Sequence, residues 1–61
     1  MNYIINYIII VELDNNAKLV YNLQAENGKI AVEKVLNQLN SYQLQDMVNI
    51  QVVREPVYKR I

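Results

Sequence analysis

Apolar side chains fill the chain from Tyr3 to Leu13, interrupted only by Asn6 and Glu12. The run is β-branched and aromatic, too apolar for a solvated strand and too rich in Ile for a helix, and it predicts one long strand. Asp14-Asn15-Asn16 follows as a turn. From Ala17 to Gln24, Leu19, Tyr21 and Leu23 alternate with Lys18, Val20, Asn22 and Gln24, which is the period of a half-buried strand. The two strands should pair as a hairpin.

Loop chemistry and polarity then choose the register together. A three-residue loop built on a type I turn needs its last residue in the left-handed region, which Asn enters more readily than other non-Gly residues, and Asn16 occupies that place. Leu13 then faces Ala17, Val11 faces Leu19, Ile9 faces Tyr21 and Tyr7 faces Leu23, so one face is wholly apolar. A two-residue Asn15-Asn16 loop would instead mix Lys18 and Asn22 into the Ile9 and Val11 face, and the first register is preferred.

Between Gly28 and about Asn40 the period becomes helical. Asn27 can cap the helix by accepting from a first-turn amide. Val32, Val35, Leu36 and Leu39 share one arc with Ala31 at its edge, which predicts the core face, while Lys29, Glu33, Lys34, Asn37 and Gln38 are solvated. Ile30 points roughly opposite the stripe and is read as packing against the N-terminus or the tail. Asn40 and Ser41 read as a stop, and Tyr42 to Asp46 as a loop. Met47 to Glu55 alternates again, with Val48, Ile50 and Val52 opposed to Asn49, Gln51, Val53 and Glu55. Pro56 ends that ladder because it has no amide hydrogen, leaving 56–61 as a tail or short further strand.

The order strand, strand, helix, strand, with a right-handed crossover, returns the third strand parallel to the second, with the first filling the gap. The expectation is a single α+β domain of ββαβ topology: a three-stranded antiparallel sheet, order 2-1-3, with one helix on the odd-numbered face. Sixty-one residues bury only about 60% of the unfolded surface, so the stability margin is thin.

The segment Ala25-Glu26-Asn27, Ala31, Glu33-Lys34-Val35, Leu39 and Ser41 resembles the archaeal large-subunit ribosomal proteins of the LX family. Those have a hairpin, a helix opening on a similar Ala-Glu-Asn and Glu-Lys-Val pattern, and a final strand. The resemblance covers Ala25 to Ser41 and implies the same topology and a ribosomal role. The chain departs from that family in carrying no Lys or Arg from Tyr42 to Val53.

Composition narrows the chemistry. Six Lys and Arg balance six Asp and Glu, so no overall field draws the chain onto phosphate backbones or an anionic membrane. There is no His, Cys or Thr, one Ser and one Gly, which removes the usual general base, thiol and phosphate loop. The absence of Cys suits a reducing compartment, and a cytoplasmic location is expected. Tyr3 to Val11 is too short to span a membrane and lacks the basic residues of a secretion signal. Nine Asn and five Gln alongside many Ile point to an AT-rich coding source, such as a low-GC bacterium, its phage or some archaea.

Three surfaces remain. Glu12, Asp14 and Asp46 fall at one end of the sheet and could hold Mg²⁺ or Ca²⁺, but a turn opener, a strand lead-in and an outward residue explain them more simply. Neither enzymatic activity, nor a metal, nor a cofactor is expected. Arg54, Lys59 and Arg60 beside Tyr58 could meet a phosphate backbone and a base, which gives an RNA- or ribosome-associated alternative. The favoured surface is the even-numbered face of the sheet, where Ile4, Ile8, Ile10, Val20 and Val53 would lie in water unless a partner, or Val57 and Ile61 of the tail, covered them. That face predicts a small accessory, regulatory or inhibitor-type protein binding another protein, most simply a second copy of itself.

Overall fold

The computed structural model describes residues 4–55. Its elements run β1 (Ile5–Leu13), β2 (Lys18–Ala25), α1 (Gly28–Gln38), α2 (Ser41–Asp46) and β3 (Met47–Arg54). The three strands form one sheet in the order β2-β1-β3, with β1 antiparallel to both neighbours. This is the α+β arrangement expected from the strand periodicity, with α1 packed on the sheet.

The hairpin closes on loop chemistry. Asn16 donates its N–H to the Leu13 carbonyl at 3.0 Å, Leu13 donates to the Ala17 carbonyl at 2.9 Å, and Asn16 has φ 68°. This is a type I turn followed by one left-handed residue, and it sets Val11 opposite Leu19, Ile9 opposite Tyr21 and Tyr7 opposite Leu23. Asn15 adds a local bond, its Oδ1 accepting from the Ala17 amide at 3.0 Å.

The odd-numbered side chains of β1 make the core. Ile5, Tyr7, Ile9 and Val11 are buried, with Ala25 from β2 and Ala31, Val35 and Leu39 from the α1 segment. Asn27 caps α1, its Oδ1 accepting from the Ile30 amide at 2.9 Å.

The contact stripe of α1 is rotated relative to the sequence expectation. Ala31, Val35 and Leu39 lie directly on the sheet, whereas Val32 and Leu36 are half-buried at its flank. The small Ala31 side chain lets the helix axis come close to the strands there, and the bulkier residues then close the side of the contact. Ile30 also packs at the margin of the core.

Two local features depart from expectation. Tyr42 to Asp46 is helical, because Asn40 and Gln43 form a reciprocal capping box: Asn40 Oδ1 accepts from the Gln43 amide at 2.8 Å and Gln43 Oε1 from the Asn40 amide at 3.0 Å. The β1–β3 ladder also shifts at Glu12/Leu13, where Glu12 faces Asn49 but Leu13 faces Met47. Val48 is the extra residue of this bulge and is 64% exposed, although alternation alone puts it on the inner face with Ile50 and Val52.

Candidate functional site

Side chains alternate between the two faces of a strand, so residues paired across the ladders of β1 share a face with their partners. The even-numbered face is therefore a small grid of cross-strand rows. Ile10 lies between Val20 and Gln51, Ile8 between Asn22 and Val53, Glu12 between Lys18 and Asn49, and Asn6 beside Gln24.

Within this grid the apolar residues form a diagonal, Val20, Ile10, Ile8, Val53. Val20 is 64% exposed and the other three are half-buried. None of them belongs to the core beneath α1. The polar row at the hairpin end is internally satisfied: Asn49 Nδ2 donates to Glu12 Oε1 at 2.8 Å, and Lys18 Nζ lies 3.6 Å from Glu12 Oε2. Exposed as it is, that ion pair contributes at most about 1 kcal/mol, and it orients Glu12 more than it stabilises the fold.

Of the five residues expected on this face, the structure brings Ile8, Ile10, Val20 and Val53 together. Ile4 precedes β1 and lines an open hollow with Gln24, Ala25, Glu26, Ile30 and Lys34, so it sits with the α1 residue Ile30 rather than in the diagonal. Lys34 Nζ donates to the Gln24 carbonyl at 3.1 Å on the same hollow.

Arg54 pairs with Tyr7, which places it on the α1 side of the sheet, where it is exposed. Tyr58, Lys59 and Arg60 lie outside the described residues, as do Val57 and Ile61. Tyr7 is buried and Tyr21 half-buried against the core, so neither ring is presented for stacking on a base.

The acidic residues do not converge. Asp14 and Asp46 meet through their backbones, with the Asp14 amide donating to the Asp46 carbonyl at 2.9 Å, while the Glu12 carboxylate is engaged by Asn49 and Lys18. Among the described residues no group of three or more potential metal ligands forms, and no helix is long and apolar enough to cross a membrane.

Sequence reasoning missed a second apolar region. Tyr42 (77% exposed), Leu44, Val48 and Val52 are all exposed along α2 and β3. Val52 shares the face of the buried Ile9, yet α1 lies mainly over β1 and β2 and reaches Val52 only with its first residue, Gly28, which leaves Val52 43% exposed. Alternation cannot reveal this, because it assigns a face and not the reach of the helix across it.

Comparison with known proteins finds no matching family model, no matching curated protein and no matching solved structure.

Proposed function

We propose that this chain is a non-enzymatic protein-interaction module of the accessory, regulatory or inhibitor type. Its binding surface is the even-numbered sheet face, and the occupant is a second copy of the chain. The observation that carries this reading is the Val20, Ile10, Ile8, Val53 diagonal, apolar and without cover among the described residues. Such a stripe gains roughly 25 cal/mol for each Å² removed from water.

Self-association suits the pattern of the face. The diagonal reads Val-Ile-Ile-Val from either end, so a two-fold axis in the interface plane and across the stripe sets Val20 over Val53 of the other copy and Ile10 over Ile8. The flanks are amides and one Glu12–Lys18 pair of opposite charges, and the net charge is zero, so little long-range repulsion opposes the approach.

Ile10→Lys tests the proposal. It puts a charge at the centre of the stripe and should halve the sedimenting mass, while making thermal stability less dependent on protein concentration. A wild-type chain that is monomeric at high micromolar concentration removes the second copy as occupant. Salt-sensitive binding to total RNA by that monomer would favour the nucleic-acid alternative.

A further inference from the structure

The two edges of the sheet are built differently. The Leu13 amide bonds to Ala17, so the odd residues of β2 turn their backbone groups toward β1 and Lys18, Val20, Asn22 and Gln24 turn theirs outward. That outer edge is guarded at both ends. Lys18 stands at one, and the Lys34 ammonium occupies the outward Gln24 carbonyl at 3.1 Å at the other.

On β3 the same reasoning starts from the Glu55 amide, which donates to the Asn6 carbonyl at 3.0 Å. Val53 and Gln51 point inward with it, and Ile50, Val52 and Arg54 point their N–H and C=O groups away from the sheet. Among the described residues nothing bonds to these outward groups.

Regular pairing of β3 with β1 starts at Asn49, just past the Val48 bulge, and runs to Glu55, the last described residue, whose amide bonds to Asn6. That stretch is centred on Val52, whose side chain is 43% exposed on the α1 side of the sheet.

We infer that β3 pairs antiparallel with β3 of a second copy about a two-fold axis at Val52. In this register Val52 faces Val52, Ile50 faces Arg54 and Gln51 faces Val53 of the other copy. The outward backbone groups of Ile50, Val52 and Arg54 are all satisfied, and the two Val52 side chains cover each other. No like charges meet: each Arg54 lies across from an Ile50, over which its aliphatic stem can extend. The pairing joins two sheets into one of six strands. It uses none of the residues of the open-face diagonal except Val53, whose side chain stays on that face. The inference is therefore independent of the open-face reading.

Cysteine crosslinking tests it, because the chain has no Cys of its own. Residues directly opposed in a hydrogen-bonded antiparallel pair have Cα atoms about 5.5 Å apart, inside the range a disulfide spans. Val52→Cys made in the Ile10→Lys background, which removes the face contact, should oxidise to a covalent dimer about ten-fold faster than Val48→Cys in the same background. Val48 is the more exposed of the two, so collision alone would favour it. Equal rates, or a faster Val48→Cys, would overturn the edge pairing while leaving the open-face proposal standing. As a second reading, Val52→Lys should halve the sedimenting mass of the Ile10→Lys protein, and an unchanged mass counts against the inference.

Discussion

The two faces of β1 carry nearly the same kind of side chain and meet opposite fates. Ile5, Tyr7, Ile9 and Val11 are buried, while on the other face Ile8 and Ile10 are only half-covered and Asn6 is exposed. Intrinsic hydrophobicity does not distinguish Ile9 from Ile10. What separates them is α1, which closes one side of a sheet too small to bury both. With α1 on one side of the sheet, the face of Ile8 and Ile10 has no second layer of comparable extent among the described residues.

The largest effect should come from truncating the two isoleucines in turn. Ile9 is fully buried, so Ile9→Ala should cost about 2 to 5 kcal/mol in chemical denaturation, whereas Ile10→Ala in the monomer should cost about 1 kcal/mol. Equal losses would mean that the open face is covered within the chain and that the comparison fails.

A smaller effect should follow from the turn that sorts the residues onto their faces. Asn16→Val puts a β-branched side chain at φ 68° and should destabilise by about 1 to 2 kcal/mol, while Asn16→Gly should stay within about 0.5 kcal/mol of wild type. If the two variants were equally stable, the left-handed residue would not be what holds the register.

The smallest effect should be a gain on the covered face. Gly28 opens α1 without positive φ, and a Cβ there would meet Val52 Cγ1 at 3.8 Å and Tyr7 Cε1 at 3.9 Å, which is ordinary contact. Gly28→Ala should raise stability by about 0.5 kcal/mol through helix propensity and a less flexible unfolded chain. A measured loss would show that α1 sits more tightly on Tyr7 and Val52 than those distances allow.

Legibility in the sequence differed by element for physical reasons. The hairpin could be read because Asn16 and the parity of Val11, Ile9 and Tyr7 against Leu19, Tyr21 and Leu23 constrain the same register independently. The α2 helix had a signal, Asn40 followed three residues later by Gln43, but no apolar stripe accompanied it, and it buries no residue. Of the candidate surface, Ile8, Ile10, Val20 and Val53 followed from alternation alone. Ile4 did not, because alternation extends a face past the point where the strand begins.

Local chemistry, then, was enough to specify the strand and helix periods, the Asn16 turn, the Asn27 cap and the assignment of most side chains to one face or the other. Each depends on bonds or alternation within a few residues, or on one hairpin. Only the tertiary structure decided that Ala31 rather than Leu36 rests on the sheet, that Val48 is squeezed out in a bulge, and that α1 leaves Val52 partly exposed and the β3 edge unpaired among the described residues. Those outcomes depend on how closely a helix can approach a twisted sheet and how two strands of unequal path keep register, and such distances are set between segments far apart in the chain.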